Sequence, residues 1–400
     1  MVVRKLLPKL SPDERNDMLS LAAAATAGFF APPQRRLPNG PLIIGYTGCD
    51  QQTVIREAVK GVNVIIWFAS NLVRNATTGQ PQVATGLNHT CVAEVAQKLR
   101  RQRLPTAHML CVGGWDAPHP NTSFSGQQWF EAWDEWNQRE AARPELGFAG
   151  YDGIDWDLEG NDAPASPWNR FSAATIALVG TMSQAMKRAG YLVSLVPPQS
   201  YADATDGGFD RSLLHSYADW RPAFRYRGRN AYMAWLSSRY AVTHGTVDGD
   251  VQRGGGVRTF DFVSVQLYES WSRASQAIDG PSQVPAAQYL ATLARAYARG
   301  WHVDFGADAA VGIPSQTVAI PPDQLVLGFS FGSGPLDLGK SLFVQPEAVA
   351  AAWGALVPAE RPRGMMFWNL GLDGVALANG TNRTCALAAG FNAFMHVRDG

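Results

Sequence analysis

Short apolar runs rich in β-branched and aromatic residues alternate with longer segments of helical periodicity from residue 41 onward. Apolar runs of this length predict buried strands, and the intervening periodicity of about 3.6 residues predicts amphipathic helices. The predicted strands lie at residues 41–47, 62–68, 106–112, 151–159, 191–196, 260–268, 324–331 and 363–369.

Predicted helices follow the strands. They lie at residues 51–60, 88–103, 126–142, 169–189, within 210–241, and at 284–299, 345–355 and 383–395. Eight βα units favour an α/β fold of the (β/α)8 TIM-barrel type over a doubly wound sheet, which usually has fewer strands. The connection 200–259, between the fifth and sixth strands, is too short for a core of its own. We therefore expect it to be a loop insertion in a single domain that covers residues 40–400.

Residues 1–39 form an extension in front of the predicted barrel, and two interpretations of it remain open. Ser11 and Glu14 have capping-box spacing, which predicts an ordinary helix over residues 12–28. Alternatively, the Ala-rich run from Met18 onward could belong to a secretory signal, although acidic residues precede it. The run is too short to cross a bilayer, and no membrane span is predicted elsewhere.

The predicted strand at 151–159 carries an unusual number of carboxylates. Side chains alternate along a strand, so that Asp155, Asp157 and Glu159 share one face while the other face is apolar. The acidic face is expected to point into the barrel, with Glu159 nearest the C-terminal end, where such barrels hold their active sites. Carboxylates about 7 Å apart along a strand cannot all ionise in an apolar interior, so at least one pKa should rise. A carboxylic acid that stays protonated near neutral pH is suited to general acid catalysis.

The net charge of the sequence indicates which class of binding partner to expect. Lys plus Arg and Asp plus Glu each number 34, which gives a net charge of zero. This composition lacks the basic excess of nucleic-acid binders, so we expect a small neutral partner and no nucleic acid. Among the 13 tryptophans, Trp129, Trp133 and Trp136 have the spacing of one buried helix face. Trp115, just beyond the third strand, is the better candidate for a surface that stacks on a sugar.

Cysteines and glycosylation motifs point to the compartment. The four cysteines are Cys49, Cys91, Cys111 and Cys385, with no CxxC spacing. A metal site or other cofactor is therefore not predicted, and one disulfide is permitted without the sequence choosing its pair. Five N-x-[ST] motifs begin at Asn75, Asn88, Asn121, Asn379 and Asn382. Their number favours a secreted glycoprotein.

Two motifs of other enzyme classes also occur. The GxxxxGK[ST] pattern at 334–341 matches a phosphate-binding loop, but Pro346 interrupts the helix that should follow it. The GxSxG pattern at 328–332 is followed by Asp373 and His396 in the order of an esterase triad. The residues after that serine disfavour the helix that a nucleophile elbow requires, so neither class is favoured.

The segment YDGIDWDLEG fits the DGxDxDxE signature, and the sequence resembles family 18 glycoside hydrolases, the chitinases and their relatives. Further segments resemble the family in barrel order. They are Gly45-Tyr46, the segment from Cys111 to Trp115, the segment from Val196 to Gln199, Gln266-Leu-Tyr268 and Met366-Phe-Trp368. The Gln-x-Tyr form is similar to the compact plant and fungal branch.

The resemblance implies a role for each matching residue. Glu159 would be the general acid/base, Asp157 would orient the substrate acetamide, and Asp155 would share a proton with Asp157. Asp152 would support the strand, and Tyr268 would hydrogen-bond the acetamido oxygen. The implied substrate-binding residues are Tyr46, Gly114, Trp115, Gln199, Gln266, Glu269 and Trp368, with Trp368 as the floor of the sugar site.

The sequence departs from the family pattern at two positions. Glu269 stands where relatives usually carry Asp or Asn, and Cys111 stands where Ser is common. The resemblance implies a monomeric chitinase that needs no cofactor, cuts within chains of β-1,4-linked N-acetylglucosamine and uses the substrate's own acetamide as nucleophile. Two alternatives remain: an endo-β-N-acetylglucosaminidase acting on N-glycans, and a chitin-binding lectin without turnover. The complete acidic row disfavours the lectin.

Overall fold

The structure, a computed structural model, describes residues 35–161, 163–214, 227–243, 256–269, 272–280, 283–331, 342–375 and 384–396. Some of the sequence predictions fall wholly or partly outside the described residues. They are the N-terminal helix, the GxxxxGK[ST] segment and the glycosylation motifs at Asn379 and Asn382.

Eight parallel strands close into a barrel. They are β1 (Leu42–Thr47), β2 (Val64–Arg74), β3 (Ala107–Gly114), β4 (Gly153–Leu158), β5 (Leu192–Leu195), β6 (Phe262–Gln266), β7 (Leu325–Ser330) and β8 (Gly364–Trp368). Each strand pairs with the next, and β8 closes the barrel on β1, where Gly364 lies opposite Leu42. Beyond the barrel wall, β2 continues into a hairpin with Pro81–Thr85. The predicted (β/α)8 barrel is confirmed.

Helices connect most of the strands. They are α1 (Gln51–Val59), α2 (His89–Arg101), α3 (Gly126–Trp136), α4 (Ala173–Arg188), α5 (Arg273–Ile278), α6 (Ala286–Arg299), α7 (Pro346–Gly354) and α8 (Leu387–Met395). Side chains of Asp50, Asn88, Ser125 and Ser172 accept hydrogen bonds from the free backbone N–H groups that begin α1 to α4. These caps explain why the helices begin immediately after short polar loops.

Two apolar layers surround the strands. One fills the barrel and includes Ile44, Met109 and Met366. The other lies between strands and helices and takes in the apolar face of β4 together with Trp129, Trp133 and Trp136. The helical tryptophan row is therefore core, as its spacing predicts, and β4 turns its carboxylates to the opposite side.

The prediction of a helix within 210–241 is wrong for the described part of the segment. Asp210–Leu214 is instead a strand that pairs antiparallel with Arg227–Arg229, and Ala231–Ala234 is a short 3₁₀ turn. Tertiary contacts override the local propensity, because the turn buries Tyr232 and sends its hydroxyl to the backbone of β4, 2.5 Å from the Leu158 nitrogen.

Cys49 and Cys91 form a disulfide that joins the loop after β1 to the first turns of α2. The remaining cysteines, Cys111 and Cys385, are free and buried. Within the described residues, every helix is too short or too polar to cross a membrane.

Candidate active site

Three carboxylates lie in a row along the inner face of β4, toward the C-terminal end of the barrel. Asp155 is fully buried, whereas Asp157 and Glu159 retain 6% and 8% of their exposure. Glu159 follows the last residue of the strand, so that its side chain lies nearest to solvent. The exposure of these side chains therefore increases from Asp155 to Glu159, and Glu159 is the carboxyl group that can contact a bound ligand.

Asp155 is held by two hydroxyl groups from other strands. Tyr46 on β1 donates to Oδ2 at 2.5 Å, and Ser194 on β5 donates to Oδ1 at 2.5 Å. Burial raises the pKa of Asp155 to about 6, while the two hydroxyl donors act in the opposite direction. Both donors stabilise the ionised carboxylate, because a carboxylate accepts hydrogen bonds on both oxygens.

Asp157 and Glu159 form one hydrogen-bonded pair. The amide of Gln266 on β6 lies 3.1 Å from Oδ1 of Asp157 and 3.1 Å from Oε1 of Glu159. Burial raises the pKa of Asp157 well above its usual range, and the neighbouring Glu159 carboxyl raises it further. Two carboxyl groups in contact are stable when they hold one proton between them. The pair therefore carries a proton at pH values where an ordinary aspartate is ionised.

The thiol of Cys111 completes the surroundings of Asp157, with Sγ 3.9 Å from Oδ2. A thiol is a weaker hydrogen-bond donor than a hydroxyl. Burial raises the pKa of Cys111 itself, so the group remains a thiol. Asp157 consequently receives little stabilisation of its anionic form from this side.

The backbone around the carboxylates is fixed by close contacts. Asp152, one residue before β4 begins, accepts a hydrogen bond from the backbone nitrogen of His108 on β3 at 2.7 Å. A Cβ atom at Gly113 would lie 2.3 Å from the carbonyl oxygen of Asp157, and both Gly113 and Gly114 have positive φ angles. The β3–β4 contact therefore requires glycine at Gly113, and Gly114 lies at the turn that leads to Trp115.

Aromatic side chains surround the mouth of the barrel. Trp368 at the end of β8 is half-buried, and its ring lies 5.7 Å from that of Tyr46 and 4.7 Å from that of Phe68. Tyr268 is also half-buried, and Trp115 is 56% exposed. The site thus combines a buried acidic floor with aromatic surfaces that can stack on a sugar ring.

Gln199 and Glu269, two predicted substrate-binding residues, lie in the protein framework of the site. The Gln199 amide donates to the Tyr289 hydroxyl and accepts from the Ala274 nitrogen, both at 2.9 Å, and the residue is 1% exposed. Glu269 accepts from the Ser200 nitrogen at 2.9 Å through Oε1. Burial raises the pKa of Glu269 to about 8. Its Oε2 has no hydrogen-bond partner among the described residues.

Ser194 and Tyr232 belong to the site but were not singled out from the sequence. Ser194 is the one polar residue in the apolar run LVSL of β5, at a position that alternation turns into the barrel. That signal could have identified it. Tyr232 comes from the insertion after β5, and no local pattern connects it with β4.

No protein-family model and no curated protein matches the chain. Among solved structures, a Group IV chitinase of Ostrinia furnacalis matches with a TM-score of 0.48 and 11% identity over 89% of this chain and 99% of the other. A GH18 chitinase of Pseudoalteromonas aurantia matches at 0.47 and 12%, over 82% and 93%. Catalytic-site mutants of active domain 2 of a Pyrococcus furiosus chitinase match at 0.47 and 12%, over 90% and 97%. The chain is similar to these proteins in fold.

Proposed function

We propose that this chain is a family 18 glycoside hydrolase that cleaves β-1,4-linked N-acetylglucosamine chains with retention, using the substrate's own acetamide as nucleophile. The observation that supports this most directly is the buried contact of Asp157 with Glu159, both held by the Gln266 amide, in which burial and the Glu159 carboxyl raise the pKa of Asp157. A pair of this kind supplies both a proton donor and, once the proton has left, an anion.

In the proposed reaction, Glu159 gives its proton to the glycosidic oxygen as the bond to the leaving sugar breaks. The acetamide oxygen of the same substrate unit attacks the anomeric carbon from the opposite side and forms a cyclic cation. Asp157 accepts a hydrogen bond from the acetamide N–H and stabilises the positive charge. Water activated by Glu159 then opens the ring, and the product keeps the β configuration.

The other site residues position this reaction. Asp155, ionised between Tyr46 and Ser194, places a negative charge below Asp157 and thereby favours a proton on the pair. Trp368 serves as the floor under the reacting sugar, Tyr268 holds the acetamide oxygen, and Trp115 stacks on a neighbouring unit. Gln199 and Glu269 support the wall beside Tyr268 through the bonds described above.

We also propose that the protein is secreted. The Cys49–Cys91 disulfide suits an oxidising compartment. Of the described glycosylation motifs, Asn88 is exposed, and Asn75 and Asn121 are half-exposed. Protein made in a eukaryotic host should therefore lose mass on treatment with an N-glycan amidase, and an unchanged mass would contradict secretion through that pathway.

The catalytic assignment is tested by Glu159→Gln. The amide keeps the size and the contact with Gln266 but cannot give a proton, so kcat on chitin oligomers should fall by about 10²–10⁴-fold. Dissociation constants for the same oligomers should stay within about threefold. Weak binding and full turnover by the variant would each contradict the role given to Glu159.

A further inference from the structure

A cavity of about 460 Å³ opens on the same face of the barrel as the carboxylates. Its walls come from the end of β2, from residues 118–122 after β3 and from residues 167–172 after β4. His119 belongs to this lining, and its Nε2 lies 3.0 Å from the backbone oxygen of Glu159. The volume is within the range of roughly 300–1,000 Å³ that is typical of small-molecule sites. The cavity therefore adjoins the proposed catalytic site without being part of it.

The apolar side of the cavity is suited to a sugar ring. Trp168 lines it together with Pro118 and Pro167, and Trp168 is half-buried with its ring 6.1 Å from that of His119. A partly fixed indole offers a flat apolar face with little loss of conformational freedom on binding. Sugars present such a face through their axial C–H groups.

The polar side of the cavity is positively charged. Arg74 and Arg170 both line it, and no Asp or Glu is among its lining residues in the described parts of the chain. Among the described residues, the Arg74 guanidinium donates one hydrogen bond, from Nε to the carbonyl oxygen of Gly79 at 3.1 Å. Asp308 is paired with Arg211 at 2.6 Å. Its pKa is lowered mainly by Arg211, with a smaller contribution from the charge of Arg170. Within the described parts of the chain, neither Arg74 nor Arg170 forms an ion pair with a carboxylate, although the Arg170 charge acts on Asp308 from a greater distance.

The remaining titratable group in the lining adds no charge. Burial lowers the pKa of His119 to about 4, so the imidazole is neutral near pH 7. The positive character of the cavity consequently comes from the two arginines alone. Guanidinium groups hold carboxylates through paired, planar hydrogen bonds, which a neutral sugar cannot offer in return.

We propose that this cavity binds a sugar unit that carries a carboxylate, with Trp168 stacked on the ring and Arg74 and Arg170 on the acid group. This goes beyond the proposed function, because chitin is uncharged and the binding requires no hydrolysis. If both sites are occupied by one chain, that chain contains N-acetylhexosamine next to an acidic sugar. The specificity of the protein would then extend from chitin to acidic N-acetylhexosamine polymers.

The test uses the full chain with Glu159→Gln, so that no probe is turned over. Calorimetric titration compares the disaccharide of N-acetylglucosamine and N-acetylmuramic acid with neutral N,N′-diacetylchitobiose. We expect the acidic disaccharide to bind about tenfold more tightly at low salt. Arg170→Gln and Arg74→Gln should each remove most of that difference. Arg188→Gln, an exposed arginine at the far end of α4, is the matched control and should leave it unchanged.

Equal affinity for the two disaccharides would overturn the proposal, and so would an equal loss in the Arg188→Gln control. Competition by sodium acetate at the same concentration as the acidic disaccharide would also overturn it, because the site would then bind a bare anion. Circular dichroism and the melting temperature of each variant check that its fold is intact. Hydrolysis of chitin oligomers by the unaltered protein is measured separately, so a failure of the catalytic assignment is distinguishable from a failure of this one.

Discussion

The phenolic hydroxyl of Tyr46 lies 2.5 Å from Oδ2 of Asp155, across 109 residues of chain. Tyr46 is on β1 and Asp155 on β4, so the contact crosses the interior of the barrel. It exists only because the eight strands close on one another. The acidity of the site is therefore a property of the closed barrel and not of the acidic strand alone.

Tyr46→Phe tests this dependence. Phenylalanine keeps the ring that packs on Trp368 but removes the hydroxyl that stabilises the Asp155 anion. The pKa of Asp155, about 6 in the intact protein, should rise, because one donor to its charged form is lost. Since the reaction is proposed to need an ionised Asp155, the acid limb of the pH–kcat profile should move to higher pH and kcat at pH 6 should fall about tenfold.

Ser194→Ala provides the companion measurement. It removes the donor to the other oxygen of Asp155 and should move the acid limb in the same direction. KM should change little for Ser194→Ala, because the Ser194 hydroxyl is fully buried against Asp155. Tyr46 is also implied to bind substrate, so Tyr46→Phe is judged by its acid limb and not by KM. An acid limb that stays in place in both variants would mean that Asp155 does not control the protonation of the pair.

The sequence contained enough information for the barrel and for the acidic row. Strand and helix periodicities are local, and the alternation of Asp155, Trp156 and Asp157 determines which side chains enter the barrel once a strand is assigned. The insertion after β5 was different, because Tyr232 is placed by contacts with β4 that no local pattern records.

The roles of individual site residues depend on partners that are distant in sequence. The motif around Gln199 predicts a substrate-binding residue. In the structure its amide nitrogen donates to the hydroxyl of Tyr289, 90 residues away, and its amide oxygen accepts from the Ala274 nitrogen. The disulfide has the same character: four cysteines allow several pairs, and only the fold brings Cys49 and Cys91 together. Composition and spacing carry no information of this kind.

A second buried acid pair links α1 to the segment after β8. Glu57 and Asp373 are fully buried, and Lys60 Nζ lies 3.0 Å from Glu57 and 3.6 Å from Asp373. Arg56 also pairs with Glu57, and the Leu387 nitrogen donates to Asp373. Burial, followed by the contact with Glu57, raises the pKa of Asp373 to about 7. Burial raises the pKa of the Cys385 thiol, and the nearby Asp373 carboxyl raises it further.

This pair predicts a dependence of stability on pH. The folded protein holds the proton of Asp373 up to a pH of about 7, whereas an unfolded aspartic acid loses it near 4. The contribution of this proton to the free energy of unfolding is therefore complete below pH 4 and is lost as the pH rises to 7. Asp373→Asn mimics the protonated acid and should flatten the fall in melting temperature between pH 5 and pH 8. Asp323→Asn, at a surface pair with Arg258, should keep the slope of the unaltered protein. Equal slopes in all three proteins would contradict a proton on Asp373.

The disulfide is expected to contribute to stability. Cys49 and Cys91 are 42 residues apart, and the chain-entropy argument gives about 4 kcal/mol for a loop of that length. Reductant should lower the urea midpoint of the unaltered protein and leave that of the Cys49→Ser, Cys91→Ser double variant unchanged. If thiol titration shows that the reductant has opened the disulfide of the unaltered protein, and its urea midpoint does not fall, the disulfide has no such role.

The central claim, that the substrate's acetamide is the nucleophile, is tested most directly by the anomer of the first product and its dependence on the N-acetyl group. Chitin oligomers should give the β-anomer first, as followed by proton NMR during early hydrolysis, and fully deacetylated oligomers of equal length should remain uncut. Rapid hydrolysis of the deacetylated oligomers, or an α-anomer as the first product from chitin, would contradict the account.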